Sequence, residues 1–311
     1  MDLVQEVLKG NPRAVARAIS LVENNGSPAQ ALMKKLFPHR QESVVLGITG
    51  APGSGKSTLV DQMIECLRRD GRKIGIVAID PSSPFSGGAI LGDRIRMMRH
   101  SLDSEVFIRS MATRGHLGGL AKATGEAIAI FEAAGKGFIL VETVGVGQDE
   151  VEVVKLADIV LVILTPGTGD EIQAFKAGIM EIGDIFVLNK ADHPETDKME
   201  KQLKAILELG CKEKEIPPVV KTVATKGKGV GVLMDEIQRF ISKMNHEFQA
   251  SKKKRLLSWM LRDITREKIY QVISQNIKDS EFEEFIEKIY SKKIDPYTVA
   301  DKIIARLKRK F

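Results

Sequence analysis

The sequence predicts an α/β fold in which a doubly wound, mainly parallel sheet carries helical extensions at both ends of the chain. From Val44 onward, short apolar segments alternate with amphipathic segments of helical length, as in a parallel sheet covered by helices. The apolar segments have few polar interruptions, for example in 74–79, which indicates burial on both faces of the sheet. Polar motifs directly follow several of these segments, and ligands of such sheets bind at the carboxyl ends of the strands.

Residues 1–43 are predicted to form a helical N-terminal extension. Asn11-Pro12 and Ser27-Pro28 each place a capping residue before a proline, which signals the start of a helix. After the first signal, four apolar residues share one helical face: Val15, Ala18, Ile19 and Val22. We expect this segment to pack on the rest of the protein, and nothing in it suggests chemistry.

The region 44–245 is predicted to be the main domain, built from seven strands with helices between them. The strands are expected at 44–49, 73–80, 106–110, 137–142, 158–165, 184–189 and 218–223. The helices are expected at 56–69, 116–134, 148–156, 170–182, 195–209 and 230–249.

Residues 246–311 lack strand signals and are predicted to form a C-terminal helical arm. A long amphipathic helix is expected over 252–277, and shorter helices are expected over 279–290 and 296–310. An apolar stripe on a protruding helix must be buried somewhere. The arm can therefore be a dimerisation element that grips a second subunit, which we favour, or a three-helix cap.

Composition narrows the class of protein. An apolar fraction of 43% over 311 residues suits a soluble globular protein, and no apolar run approaches the roughly 20 residues of a membrane span. The N-terminus is acidic, unlike a signal peptide, and Cys66 and Cys211 form no disulfide framework, so we expect a cytoplasmic protein. The net charge of +6 lies in the arm, where both signs are interspersed. This favours a solvated helix face over a surface that binds nucleic acid or a membrane.

The segment from Gly50 to Ser57 matches the pattern G-x-x-x-x-G-K-[ST] between a predicted strand and a predicted helix, the context of a phosphate-binding loop. Glycines permit positive φ angles, so successive backbone N–H groups can converge on phosphate oxygens. The helix N-terminus and the ammonium of Lys56 add positive charge. The segment therefore predicts nucleotide binding. The candidate contacts are Gly50, Ala51, Pro52, Gly53, Ser54, Gly55, Lys56, Ser57 and Thr58.

Oxygen-bearing side chains near this loop predict a magnesium site. Ser57 offers a hydroxyl, Asp80 ends the second predicted strand, and Asp93 follows in a loop rich in Ser, Gly and Pro. Magnesium prefers octahedral oxygen coordination and keeps several waters, so the carboxylates can act through water. Asp93 can alternatively be an ordinary solvated loop residue.

Glu142 ends another predicted strand and has the position of the acidic residue in a Walker B site. GTPases usually have Asp here, and the Glu142 side chain is one methylene longer. Gly145 can donate its backbone N–H to a terminal phosphate, and Gln148 can orient an attacking water, as in other GTPases. The acidic residues that follow, Asp149 and Glu150, can instead cap a helix N-terminus.

The motif N-K-x-D follows a later strand of the same predicted sheet. It consists of Asn189, Lys190 and Asp192, with Ala191 at the variable position. A fixed carboxylate at Asp192 can accept the N–H groups on guanine N1 and N2, whereas adenine presents no such pair of donors. The stem of Lys190 can pack over the base, and Asn189 can tie this loop to the phosphate side. The motif therefore predicts GTP rather than ATP as the nucleotide.

A fifth element of GTPases, Ser-Ala before a glycine turn, is expected after the last strand, and 223–229 fits it only in part. Val223 stands where Ser is usual, so a side-chain hydrogen bond is lost. The backbone of Ala224 remains a candidate contact for the base. Val223 can therefore weaken guanine binding or leave it unchanged.

Five blocks of the chain resemble, in order and spacing, the MeaB-type GTPases of the SIMIBI class. The blocks are GAPGSGKST, DPSSPFSGGAILGDR, ETVGVGQDE, PGTGDEIQAFKAG and NKAD. The second block is the most specific, because a generic GTPase would not contain it. These GTPases are chaperones of adenosylcobalamin-dependent methylmalonyl-CoA mutase and related acyl-CoA mutases. Some carry an older label as LAO/AO transport system kinases.

The resemblance implies a homodimer, held by its C-terminal helices, that binds the mutase and uses GTP to gate cofactor loading, protection or reactivation. The implied magnesium ligands, some of them acting through water, are Ser57, Asp80, Asp93 and Glu142. The resemblance also implies a switch loop over 165–176, with Gln173 and Lys176 as polar contacts. From the sequence alone, that loop can equally be an ordinary turn between a strand and a helix.

The hypothesis for the reaction is in-line attack of water on the γ-phosphate of GTP, with charge neutralised by Lys56 and magnesium. Intrinsic turnover is expected to be low until a partner orders the loops. Arg94 is a candidate charge donor that can equally form a structural ion pair. The catalytic candidates are Lys56, Glu142, Gln148 and Arg94. The alternatives are a nickel-insertion GTPase, a transport-system protein kinase and an adaptor that only binds GTP.

Overall fold

One parallel sheet organises the computed structural model, which describes residues 2–24, 27–80, 98–100, 102–112, 119–143, 156–167, 182–210, 216–244 and 246–308. The strands are β1 Val44–Gly50, β2 Ile74–Asp80, β3 Val106–Ala112, β4 Phe138–Glu142, β5 Ile159–Leu164, β6 Ile185–Leu188 and β7 Val219–Lys221. Their order is β3-β2-β4-β1-β5-β6-β7, and every neighbouring pair is parallel. The predicted parallel sheet is therefore confirmed.

Ten helices lie in the described part of the chain. They are α1 Leu3–Leu8, α2 Pro12–Glu23, α3 Ser27–Leu36, α4 Lys56–Arg69, α5 Gly119–Ala133, α6 Thr196–Gly210, α7 Val230–Lys243, α8 His246–Asn276, α9 Asp279–Tyr290 and α10 Pro296–Lys308. Short 3-10 turns occur at Phe37–His39, Met98–His100 and Ala224–Lys226. The helices predicted at 148–156 and 170–182 lie outside the described residues, except for residues 156 and 182. No helix in the described ranges is long and apolar enough to cross a membrane.

The helix predicted over 230–249 is wrong at its end, because it stops at Lys243. Met244 has φ −69° and ψ 96°, an extended conformation that interrupts the helical hydrogen bonds. The next helix begins at His246, six residues before the predicted start at residue 252.

The order of the strands places β1 at the centre of the sheet, with β4 on one side and β5 on the other. The side chains of Leu46 and Ile48 in β1 are fully buried, as are Leu59 and Met63 of α4. Burial of each such side chain contributes about 1.5–3 kcal/mol. This packing fixes α4 directly behind the carboxyl end of β1, where the winding of the sheet changes direction and ligands of such folds bind.

Two aspartates align the strands on one side of β1. The backbone N–H of Val45 donates to Asp158 Oδ2 (2.8 Å), and the N–H of Asp158 donates back to the Val45 carbonyl (2.7 Å). Val160 and Asp184 repeat the arrangement one strand further, at 2.8 and 3.0 Å. These reciprocal bonds fix the register of β1, β5 and β6. They thereby align the carboxyl ends of the three strands along one edge of the sheet.

The N-terminal helices pack on the main sheet domain through α5 and β3. Asn11 caps α2, since its side-chain oxygen accepts the N–H groups of Arg13 (3.0 Å) and Ala14 (3.4 Å). Glu23 at the end of α2 forms an ion pair with Arg109 of β3. The capping signal predicted at Asn11 is therefore confirmed.

The chain divides into two compact units, Met1–Lys252 and Lys253–Phe311. In the second unit, Ile277 and Val299 are buried, and an ion pair joins Glu281 of α9 to Arg306 of α10. Large apolar side chains of this unit are exposed, among them Leu261, Tyr290 and Tyr297.

The replacement Gly75→Ala is expected to destabilise the protein by about 1–3 kcal/mol, because the core is already filled at this point. A Cβ on Gly75 would lie 2.7 Å from two ring carbons of Phe131. Gly137→Ala is the matched control, since a Cβ there would have no atom within 4 Å. Urea unfolding should show a lower midpoint for Gly75→Ala only; equal midpoints for the two variants would contradict the packing argument.

Candidate functional site

The loop between β1 and α4 has its backbone placed so that the first turn of α4 faces the carboxyl end of the sheet. Gly55 precedes α4 with φ 89°, a left-handed conformation that disfavours side chains. A Cβ on Gly55 would also lie 2.4 Å from Nδ2 of Asn189. Only glycine therefore allows the phosphate-binding loop and the Asn189 loop to approach each other this closely.

Lys56 is buried at the start of α4 with 6% of its surface exposed. Its Nζ donates hydrogen bonds to the carbonyl of Gly50 (2.8 Å) and to that of Ala51 (3.1 Å). A buried ammonium requires such acceptors, because loss of hydration is costly. The two carbonyls hold the positive charge within the loop that the sequence assigns to phosphate.

Ser54 adds a further polar group to the same loop. Its side chain is 1% exposed, and its hydroxyl has no hydrogen-bond partner among the described residues. A buried hydroxyl of this kind costs about 1–3 kcal/mol unless a ligand or water satisfies it. This donor, the first-turn N–H groups of α4 and the charge of Lys56 all suit a phosphate ligand.

Ser57 and Glu142 meet beneath the loop. The Ser57 hydroxyl donates to Glu142 Oε1 at 2.7 Å, and both residues are buried. The meeting follows from the parallel pairing of β1 with β4, which places Ile48 beside Glu142. A hydroxyl and a carboxylate are oxygen ligands of the type that Mg²⁺ prefers, so this pair fits part of the predicted magnesium site.

The other two predicted magnesium ligands are not described at the side-chain level. Asp80 is the last residue of β2, but its side chain lies outside the described residues, as does all of Asp93. Across the described ranges, no three His, Cys, Asp or Glu side chains are grouped in a way that could hold a metal ion. The predicted residues Arg94, Gly145, Gln148, Gln173 and Lys176 also lie outside the described residues.

Asn189 links the phosphate-binding loop to the two loops that follow β6 and β7. Its side chain is 2% exposed, and its Nδ2 donates to the carbonyl of Ser54 at 2.8 Å. Its Oδ1 accepts from the hydroxyl of Thr222 and from the backbone N–H of Ala224, both at 3.1 Å. A single buried amide therefore sets the spacing of three loops at the carboxyl edge of the sheet.

The turn after β6 presents the carboxylate of Asp192 to solvent. Lys190 has φ 56°, which is uncommon for a residue with a side chain, and its carbonyl accepts the N–H of His193 at 2.9 Å. Half of the Asp192 side chain is exposed, and its Oδ2 lies 2.9 Å from Nζ of Lys226. The hydrogen bond from Lys226 holds the pKa of Asp192 below its usual range, so this carboxylate is ionised at neutral pH.

Sequence reasoning missed two residues of this site. Thr222 lies directly after β7 and Lys226 lies four residues further on, yet both reach the N-K-x-D motif. The only local signal is their position after the last strand, where GTPases place their fifth element. Their partners lie about thirty residues away in the sequence, so no local pattern could identify these contacts.

Comparison with known proteins agrees with the resemblance found in the sequence. Residues 15–278 match the family described as methylmalonyl Co-A mutase-associated GTPase MeaB. A protein of Pyrococcus abyssi (strain GE5 / Orsay) that is named as a GTPase is 47% identical, over 98% of this chain and 96% of that relative. The mitochondrial methylmalonic aciduria type A homolog of Mus musculus is 33% identical, over 82% of this chain and 66% of that relative.

A solved structure supports the fold. The crystal structure of the LAO/AO transport system kinase superposes with a TM-score of 0.70, covering 98% of this chain and 96% of that one. The two sequences are 24% identical, so the likeness extends to the architecture alone. It agrees with a P-loop GTPase fold that has helical flanks.

Gly55→Ala is expected to weaken nucleoside triphosphate binding roughly 10- to 100-fold, because the new methyl group would push Asn189 away from the loop. Gly53→Ala is the matched control: its φ of 77° imposes similar backbone strain, but a Cβ there would touch nothing within 4 Å. Equilibrium binding of a fluorescent GTP analogue measures both variants. Equal losses in the two would mean that backbone strain alone, rather than contact with Asn189, limits the loop.

Proposed function

The chain belongs to the MeaB family of methylmalonyl-CoA mutase-associated GTPases, and from this premise we propose that it hydrolyses GTP to control an adenosylcobalamin-dependent acyl-CoA mutase. In this proposal the chain acts as a chaperone-like G protein. Binding and hydrolysis of GTP gate the loading, protection or reactivation of the mutase cofactor. The site of action would be the cytoplasm, in keeping with the cysteine content of the sequence.

The observation that carries the choice of GTP is the link between Asp192 and the phosphate-binding loop. Asp192 is ionised, half exposed and presented at the same edge of the sheet as Lys56, and Asn189 fixes the distance between their loops. A carboxylate so placed can accept two N–H groups from guanine. It would repel the N1 lone pair of adenine, which also lacks the amino group that guanine carries at C2. The names of the relatives as GTPases support the same nucleotide.

Hydrolysis in this site would depend on positioning and charge rather than on a covalent intermediate. Lys56 would place its positive charge beside the transferred phosphate, and the N–H groups of the first turn of α4 would bind the phosphate oxygens. Ser57 and Glu142 would hold Mg²⁺, which supplies charge compensation to the phosphates when bound. Their mutual hydrogen bond keeps both oxygens turned toward the loop.

The partner is proposed from the description of the family, which names methylmalonyl Co-A mutase, and from the name of the mouse relative, which refers to methylmalonic aciduria. A homodimer is proposed for the second compact unit. Its exposed apolar side chains, such as Tyr290 and Tyr297, are the kind of surface that a second copy could cover.

Asp192→Asn is expected to shift the preference from guanosine to xanthosine nucleotides. The amide has one donor and one acceptor, which match the carbonyl and N–H edge of xanthine but leave one guanine N–H without an acceptor. GTP affinity should fall roughly tenfold or more while XTP affinity rises. Competition binding against a fluorescent nucleotide measures both. An unmutated protein that binds GTP and ATP equally would overturn the choice of guanine.

GTP turnover is expected to rise at least roughly tenfold when purified mutase apoenzyme is added, because partner binding would order the catalytic loops. Phosphate release is measured at saturating GTP with and without the mutase. Lys56→Ala, tested with the same mutase preparation, controls for a contaminating GTPase. Unchanged turnover and no detectable complex would contradict the partnership while leaving GTP binding intact.

A further inference from the structure

We propose that Lys226 is a specificity-determining residue whose ammonium orients the Asp192 carboxylate for guanine, in place of the serine hydroxyl that this chain lacks. The proposal rests on the proposed function, because it concerns how the same site selects its base. It assigns a role in recognition to a residue outside the N-K-x-D motif.

Val223 cannot donate a side-chain hydrogen bond to Asp192, so another residue must supply that donor. Its side chain is 9% exposed and offers no donor, although the fifth element of GTPases has Ser at this position. A carboxylate on a surface turn rotates readily about its terminal torsion, which has a broad energy well. Without a neighbouring donor, Asp192 would lose the fixed plane that two parallel N–H bonds from a base require.

Lys226 is attached to a rigid turn that can supply this donor. The N–H of Lys226 donates to the carbonyl of Val223 at 2.9 Å, and the N–H of Val223 donates to the carbonyl of Lys228 at 3.0 Å. Gly227 closes the turn with φ 66°. The base of the Lys226 side chain is thereby fixed relative to Ala224, whose own N–H is bonded to Asn189.

The contact between Lys226 and Asp192 leaves room for a base. Nζ of Lys226 donates to Oδ2 at 2.9 Å, and a carboxylate has about four acceptor positions on its two oxygens. The side chains of Asp192 and Lys226 are 50% and 59% exposed, so the pair is open to a ligand. A charge-assisted hydrogen bond of this kind also keeps the carboxylate ionised. Lys226 therefore orients the Asp192 carboxylate without blocking the access of a base.

The test compares GTP with ITP, which carries the same phosphates and sugar but lacks the exocyclic amino group of guanine. The ratio of the Kd for ITP to the Kd for GTP therefore reports the second hydrogen bond to Asp192 and is insensitive to changes on the phosphate side. The variant Lys226→Met keeps the apolar stem of the side chain and removes the ammonium. Its ratio is expected to fall about two- to fivefold, as for an exposed charged pair.

Two further variants make the result specific. Lys228→Met removes an exposed lysine from the same turn and should leave the ratio unchanged. The double variant Val223→Ser with Lys226→Met should recover part of the lost ratio, because it returns the hydroxyl to the fifth element. Recovery separates an orienting role from general damage to the turn.

Several outcomes would overturn the proposal. An unchanged ratio in Lys226→Met, or an equal fall in Lys228→Met, would show that the ammonium does not orient Asp192. A raised ratio would show that Lys226 competes with the base for the carboxylate. If the unmutated protein prefers GTP over ATP, such results overturn this inference alone. If the unmutated protein does not prefer GTP over ATP, the proposed function is contradicted as well.

Discussion

The buried amide of Asn189 is the interaction on which the candidate site depends. Buried polar atoms must be satisfied within the protein, and this side chain uses both ends to do so. One end holds the carbonyl of Ser54 in the phosphate-binding loop, and the other holds Thr222 and Ala224 after β7. The strands supply the common edge, but their ends alone would leave the three loops free to vary in spacing. The amide converts that edge into one candidate site in which the spacing of the three loops is fixed.

Most of the fold follows from local sequence patterns, and most of the connections within the site do not. The predicted limits of α4 agree with the structure because the phosphate-binding loop marks its first residue. The end of α7 at Lys243 was mispredicted, since neither Gly nor Pro marks the break at Met244. Asn189 lies 135 residues from Ser54, and no periodicity reports a contact at that separation. The motif locates the residues, and only the folded sheet defines their partners.

The N-terminal helices have a structural part in this arrangement. α2 contacts β3 and α5, and Arg40 just before β1 forms an ion pair with Glu132 of α5. Ser43 adds a hydrogen bond to the same carboxylate at 2.9 Å. The residues just before β1 are therefore held to α5. This contact supports the register that the Val45–Asp158 hydrogen bonds set. The N-terminal segment thus contributes to the placement of the central strand.

In the candidate site, the residues proposed to contact phosphate are buried and those proposed to contact the base are open to solvent, and this contrast bears on how the site can evolve. Lys56, Ser57 and Glu142 are each at most 6% exposed, so a substitution among them disturbs the interior. Asp192 and Lys226 are half exposed and pair on the surface, where replacements have small effects on stability. Substitutions on the proposed base side can therefore accumulate without loss of the fold, whereas substitutions on the proposed phosphate side carry a cost in stability as well.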